Sequence, residues 1–451
     1  MTWQAWAAIA VFSGAYVLIA TEKINKVTAA LGGAVLMFLI GASTADTAFF
    51  EQKTGIEWNV IFLLLGMMLI VAVLKRTGVF EFLAIWSAKR AKGRPFKVMV
   101  ILVLVTAIAS AALDNVTTVL LIAPVTFLVC ERLNLPVVPF IIAEVMASNI
   151  GGTATLIGDP PNIIIAAQGE LSFNDFLIHM APLVVLLIVV FVGLCWLMFR
   201  KKFRYDPERV ASIMALRERD AIKDPLLLIV SLTILGLVLA AFTLHTVLHV
   251  EASVVAMIGG LTIFAAAQVI ASPVVMRHRH SNLSPNRLSG QSVFKDVEWE
   301  TLAFFAGLFI MVGSLVHTGV IGTVASAASD AMGDNLLGAS MVLLWASAVL
   351  SAIVDNIPYV ATMAPIVDQL VNDAGNTSQS HVLWWALAFG ADLGGNATAI
   401  GASANVVALG IAARAGHKIS FWEFTKYGLV VTLVTISIVT PYLWLRYFVW
   451  A

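Results

Sequence analysis

Ten apolar stretches dominate this sequence: 3–20, 24–41, 58–76, 98–113, 177–199, 225–244, 250–270, 300–316, 339–354 and 428–446. Each comes close to the roughly 20 residues that a helix needs to cross a bilayer. Of the 451 residues, 60% are hydrophobic and only 12% are charged, about half the charged share of an ordinary soluble domain. Too little polar surface is available to cover a core of that size. The pattern excludes a disordered chain, a secreted disulfide scaffold and an ordinary soluble enzyme. It implies an all-α polytopic membrane protein, expected in the cell membrane. The first stretch has no basic leader and no small-residue cleavage site, so it is expected to remain as a membrane helix.

Lysine plus arginine and aspartate plus glutamate number 27 each, which leaves no basic surface for nucleic acid. Cys130 and Cys195 sit in apolar runs and read as packing residues rather than a redox pair. The histidines show no metal-ligand spacing, and His278 and His280 read as loop residues. Basic residues set the expected orientation. Lys75, Arg76, Lys89, Arg90, Lys92, Arg94 and Lys97 fall in 75–97, and Arg200, Lys201, Lys202, Arg204, Arg209, Arg217, Arg219 and Lys223 fall in 200–223. The segment 277–295 adds Arg277, Arg279, Arg287 and Lys295. All three are expected in the cytoplasm. Stretches 225–244 and 250–270 then form a hairpin with His245 and His249 near its outer turn. The polar stretch 271–299, with Pro273, Pro285 and Gly290, reads as a surface loop, and 80–92 as an amphipathic helix on the membrane surface. Trp58, Trp299, Trp384 and Trp385 are expected at the membrane interface, with Arg446 as an anchor.

The chain repeats itself. Glu57-Trp58 matches Glu298-Trp299, and the same register carries Gly66 onto Gly307, Thr77-Gly78-Val79 onto Thr318-Gly319-Val320, Asp114-Asn115 onto Asp355-Asn356 and Ala123-Pro124 onto Ala364-Pro365. Two residues further on, Gly151-Gly152, Thr155, Gly158 and Asn162 match Gly394-Gly395, Thr398, Gly401 and Asn405. The basic loop after Gly78 has a partner after Gly319 that carries Asp330 and Asp334 and no lysine or arginine. Conversely, the uncharged-to-acidic loop 166–176 has a partner, 411–427, with Arg414, Lys418 and Lys426. Corresponding loops are therefore expected on opposite membrane faces. The reading is two inverted repeats, 1–199 and 224–451, joined by a cytoplasmic linker, 200–223. That arrangement suits alternating access in a secondary transporter.

Three regions, 114–165, 355–370 and 382–411, are apolar but broken by Gly, Pro, Asn or Asp. The Asp-Asn pairs predict turns at the tips of re-entrant hairpins, an environment tolerated only inside protein or along a water-filled cavity. Pro124 is expected to limit the helix that follows it. Residues 151–162, GGTATLIGDPPN, predict an interrupted helix unwound by its two prolines, and the proline-free second copy predicts a gentler break. Interrupted helices offer carbonyls to cations and N-termini to anions. The expected substrate pocket is Asn115, Thr117, Thr155, Gly158, Asn162, Asn356, Thr398, Gly401 and Asn405. Acidic groups in apolar surroundings suit proton carriage or cation binding, and Asp114, Asp355, Asp159, Glu144 and Asp392 are the candidates. Asp114 and Asp355 lead because both copies keep them.

GGTATLIGDPPN at 151–162, the Asp-Asn pairs at 114–115 and 355–356, and LGGNATAIGASANVVALGIA at 393–412 resemble the ion transporter superfamily. That group includes arsenite efflux pumps, NhaD sodium/proton antiporters, citrate and dicarboxylate transporters and the mammalian P protein. The likeness is greatest to the arsenite-permease and P-protein branch. It implies inverted repeats with re-entrant hairpins, and a homodimer with scaffold and transport domains. The hairpin tips of dicarboxylate members read Ser-Asn-Thr, whereas these read Asp114-Asn115-Val116 and Asp355-Asn356-Ile357. The aspartates would repel a multivalent carboxylate and suit a proton, a cation or a neutral oxyacid. The expectation is proton-coupled efflux of arsenite or antimonite. The alternatives are sodium/proton antiport, a citrate- or dicarboxylate-type anion transporter, and a channel. No cofactor beyond a coupling H+ or Na+ is expected. No ATP site is recognisable, so an ATPase partner would be a separate chain.

Overall fold

The computed structural model describes residues 2–450 apart from 22–23, 52–53, 204, 206, 216, 273–289 and 334. The expectations placed on Arg204, Pro273, Arg277, His278, Arg279, His280, Pro285, Arg287, Asp334 and the side chain of His245 lie outside the described residues. Among the described residues there are helices and turns and no strand. The first half holds α1 (Trp3–Ala20), α2 (Lys26–Leu39), α3 (Ala45–Phe49), α4 (Trp58–Arg76), α5 (Val79–Arg90), α6 (Pro95–Ala112), α7 (Asn115–Leu133), α8 (Val137–Gly152), α9 (Pro160–Gln168), α10 (Phe173–His179) and α11 (Ala181–Phe199). Then come α12 (Pro207–Met214), α13 (Pro225–Leu248), α14 (Ala252–Ile270), α15 (Gly290–Lys295), α16 (Trp299–His317), α17 (Val320–Met332), α18 (Leu336–Ile353), α19 (Asn356–Asp373), α20 (Val382–Gly394), α21 (Ser403–Arg414) and α22 (Phe421–Trp444).

Nine helices among the described residues are long and apolar enough to cross a membrane. The protein is an all-α, multi-pass membrane protein. Segments 3–20 and 24–41 form the shorter apolar helices α1 and α2, while 114–165, expected to be broken throughout, supplies one full-length helix in α7. The basic linker is tied to the body. Lys89 donates to Glu218 at 2.5 Å and Lys223 to Glu81 at 3.1 Å, and the Lys89 hydrogen bond holds the Glu218 carboxyl below the ordinary glutamate range.

The helices sort into two groups. In the outer group α14 lies along α4, α16 along α2, and α1 and α13 pack beside them. In the inner group α8 lies along α6 and α20 along α18, with α7, α9, α19 and α21 interleaved between those pairs. Small residues let the backbones touch, as is usual for helices in lipid. A Cβ on Gly66 would press into the Ala256 carbonyl, and one on Gly307 would come within 2.8 Å of the Ala30 backbone. Inside, Gly151 rests on Ala107 and Gly394 on Ala348 in the same manner.

Four expectations need correction. Pro124 does not end its helix: it lies inside α7, which runs on to Leu133, as its repeat partner Pro365 lies inside α19. Neighbouring helices and polar side chains allow a proline in such a helix. Pro160 and Pro161 do not unwind a helix either; they are the first two residues of α9, where a fixed φ and a missing N–H cost nothing. The proline-free second break, 395–402, is no shorter than 153–159, because side-chain hydrogen bonds hold both breaks. Finally, Trp384 and Trp385 are not interfacial. They are 1% and 2% exposed in the enclosed helix α20, with Trp385 stacked on His179 at 4.7 Å. Trp58 and Trp299 do sit half-exposed at helix starts, their indole N–H groups donating to Phe49 O and Phe294 O.

The α4–α14 contact yields the first prediction. Gly66→Val should lower the thermal midpoint of the detergent-purified protein by an overpacking cost of about 1–3 kcal/mol. Gly193→Ala, at a position with nothing within 4 Å, should leave the midpoint unchanged. Equal melting of both variants would contradict the packing.

Candidate functional site

Four helices of the inner group begin at one place. α7 starts at Asn115 after the turn Leu113-Asp114, and α19 starts at Asn356 after Val354-Asp355. α9 and α21 start after the irregular turns 153–159 and 395–402. A helix start leaves backbone N–H groups without intrahelical partners, and at α7 and α19 an aspartate supplies one. Asp114 accepts from the Thr117 N–H at 2.7 Å, and Asp355 from the Ile357 N–H at 3.2 Å. Asp159 precedes α9 and accepts from Asn356 Nδ2 at 3.3 Å, which joins the start of α9 to the start of α19. Ser403, first in α21, donates its hydroxyl to Asp355.

The two irregular turns are held by matching hydrogen bonds. Thr155 donates to Ala111 O at 2.6 Å and Thr398 to Ala352 O at 2.5 Å. Asn162 Nδ2 donates to Thr155 O at 3.1 Å, and Asn405 Nδ2 to Thr398 O at 2.8 Å. Ser110 and Ser351 anchor the neighbouring helices at Ser148 O and Ala391 O. Gly158 lies against Gly152, and Gly401 against Gly395. Thr155, Thr398, Gly158 and Gly401 thus shape the backbone of the breaks.

An asparagine cluster ties the halves together. Asn149 Nδ2 donates to both Asn396 Oδ1 and Asn405 Oδ1 at 3.0 Å, and Asn115 Nδ2 donates to Asn149 Oδ1 at 3.3 Å. Several buried polar atoms beside it have no hydrogen-bond partner: Asn115 Oδ1, Asn162 Oδ1, Asn396 Nδ2 and both carboxyl oxygens of Asp392. Asn162 and Thr153 stand next to Asp392, yet neither of its oxygens accepts a bond of good geometry. Unpaired buried polar groups are rare and mark places built for something more than packing.

The structure brings four of the five expected carboxylates together. Asp159 is within electrostatic reach of Asp392, Asp355 and Asp114. Glu144 sits apart, five residues before Asn149 on α8, or about 7.5 Å along the axis. It accepts a hydrogen bond from Thr126 at 2.6 Å. Thr117 lines a small cavity of about 40 Å³ with Met68, Lys75, Leu121, Asp296 and Glu298. A larger one of about 210 Å³ shares Lys75, Leu120 and Leu121 with it.

Sequence reasoning missed Lys26, Asn149, Asn396, Glu298 and Ser403 as site residues. Asn149 and Asn396 flank the Gly-Gly pairs already singled out, and Ser403 lies in the same motif, so a signal existed. Glu298 opens the repeated Glu-Trp pair and lies within electrostatic reach of Asp114, Lys26 and Lys75. Lys26 is remote from every motif and carried no signal.

The chain matches the citrate-transporter family model over residues 16–390. It belongs to that family. An uncharacterized transporter of Mycobacterium tuberculosis is 52% identical over 442 residues, covering 98% of each chain. The P protein of Homo sapiens is 31% identical over 517 residues, which span 98% of this chain and 60% of that protein. The crystal structure of the Alcanivorax borkumensis YdaH transporter shares the fold, with a TM-score of 0.61 at 15% identity, over 98% of this chain and 97% of that one. The protein is therefore a membrane transporter of the citrate-transporter-like ion transporter superfamily, related to the P-protein branch, rather than an enzyme.

Asn149 is the side chain whose removal should disturb the site most. Asn149→Ala removes hydrogen bonds to three asparagines, at about 1–3 kcal/mol for each polar group left unsatisfied. The expected outcome is a lower thermal midpoint together with loss of substrate flux in proteoliposomes. Unchanged stability and flux would show that the cluster is not what joins the halves.

Proposed function

We propose that the protein is a secondary active transporter that carries a small organic anion of the citrate or dicarboxylate class together with H+ or Na+. The observation that carries this reading is the meeting of four helix N-termini at a buried asparagine cluster, three of them headed by an aspartate. A helix N-terminus bears about half a positive charge and attracts anions. Here Asp114, Asp159 and Asp355 already occupy three of those positions. An anionic substrate can use them only when the aspartates are neutralised, by protons or by a bound cation. Anion and cation then bind together, and that is symport. The family match to citrate transporters supports an anion as cargo. The unpaired atoms of Asn115, Asn162, Asn396 and Asp392 are the groups that cargo and cation would satisfy.

The sequence alone led with arsenite export. Support now lies with the alternatives, because the family match names an organic anion. Sodium/proton exchange is the second reading, favoured by the number of carboxylates around Asp159.

Part of the same proposal is that 1–199 and 224–451 are halves of opposite membrane sense, joined by 200–223. The turns at Asp114 and Asp355 would be tips of re-entrant hairpins. The matching hydrogen bonds of the two breaks support the repeat, and the contrast between the basic loop after Gly78 and the lysine- and arginine-free loop after Gly319 supports the opposite sense, with 75–97, 200–223 and 277–295 then cytoplasmic. The inner helices would move against the outer group to alternate access, within a homodimer. A gradient-driven carrier of this kind needs no ATPase chain.

Flux in proteoliposomes tests the reading against a panel of citrate, succinate, Na+ and arsenite. Citrate or succinate uptake should accelerate under an inward H+ or Na+ gradient. Asp159→Asn and Asp355→Asn should each abolish that acceleration. Na+ movement against a pH gradient with no carboxylate flux would favour the second reading. Arsenite flux alone would overturn both.

A further inference from the structure

We propose that Lys26 is the counter-charge for the cargo, its ammonium shared between Asp355 and a carboxylate of the substrate. The inference rests on the anion reading above. Lys26 is the first residue of α2, a helix of the outer group that packs along α16 and α1. Its ammonium reaches into the start of the inner helices. Nζ donates to Ser403 Oγ at 2.9 Å, lies 4.0 Å from Asp355 Oδ2, and stands 5.3 Å from the centroid of the Phe304 ring. Ser403 in turn donates to Asp355. The ammonium is thus seated between the N-termini of α19 and α21.

The charges at this spot show why one carboxylate leaves room for another. Lys26 contributes +1, Asp355 −1, and each helix start about +0.5. The balance is about +1, enough for a further carboxylate. The ammonium is also open to such a ligand, since the Lys26 side chain is 39% exposed against 17% for Asp355. Other groups face the same spot. Asp159 from the start of α9 lies within reach of Asp355, Asp392 and Asp114, Glu298 from the start of α16 within reach of Asp114, Lys26 and Lys75, and Tyr16 from α1 within reach of Asp355. With Asp159 and Glu298 both ionised, and the starts of α9 and α16 behind them counted at the same half charge, the balance falls to about zero and a free carboxylate is no longer attracted. With them neutralised, Lys26 is released to the cargo. A single ammonium on the outer group is therefore shared between Asp355 of the inner group and the substrate carboxylate.

The test is citrate and succinate uptake by full-length protein in proteoliposomes, for wild type, Lys26→Gln and Lys26→Arg. Thermal midpoints serve as the folding control. Lys26→Gln should raise the half-saturating carboxylate concentration about tenfold or more, the effect of losing one charge-assisted hydrogen bond. The maximal rate should change less than that. Lys26→Arg, which keeps the charge, should recover most of the affinity. An unchanged half-saturating concentration in Lys26→Gln would overturn the inference. So would an equal drop in maximal rate in both variants, which is the behaviour of a structural tie. Wild-type protein that moves Na+ and no carboxylate would overturn the parent reading instead, and would be seen before any variant is made.

Discussion

Carboxylates at helix starts hold the interior of this protein together. A helix that begins inside an apolar body leaves N–H groups that water cannot satisfy. Asp114 and Asp355 accept such groups directly, and Asp159 ties the start of α9 to the start of α19 through Asn356. Without the Asp159–Asn356 contact the starts of α9 and α19 would lose the side-chain bond that joins them. The same contacts give the interior its sensitivity to charge. An aspartate that caps a helix while ionised is a weaker acceptor once it carries a proton. Under the proposed reading, loading the site and loosening its helix starts are therefore one event.

Much of this was legible in the residues. The breaks at Leu113-Asp114, 153–159, Val354-Asp355 and 395–402 fall where glycine, asparagine and aspartate interrupt apolar runs. The span Trp58–Arg76 could be read to the residue, because polar groups bound it at both ends. What misled was proline. Pro124 looks like a helix end, but a missing N–H is tolerated where other helices pack around the gap, and Pro160-Pro161 open the helix that follows the interruption at 153–159 rather than causing it. Trp384 and Trp385 misled for a related reason. Aromatic pairs next to polar residues look interfacial, and only tertiary packing shows that α20 is enclosed on all sides.

The site was legible by its motifs and blind beyond them. Asn115 and Asn405 belong to the asparagine cluster, Asn162 bonds to the Thr155 carbonyl and Asn356 to Asp159, whereas Thr155 and Thr398 turn their hydroxyls to backbone carbonyls. Glu144 sits apart from the other carboxylates, bonded to Thr126. Lys26 has the position and no signature at all, since nothing local in a sequence reveals which lysine a distant helix will carry to a pocket. The glycine contacts complete the division of labour. They lock α4 to α14 and α2 to α16 in one group, and α6 to α8 and α18 to α20 in the other.

The central claim is that an anion can enter only when the aspartates at the helix starts have been neutralised. Calorimetric titration of succinate into the purified protein addresses it most directly. It would be run at about pH 7.5 and 8.5, where a free carboxylate stays ionised, with and without Na+. The account predicts tighter binding at the lower pH or with added Na+, by up to about tenfold per pH unit for each coupled proton. Succinate binding of equal strength under all four conditions would contradict it.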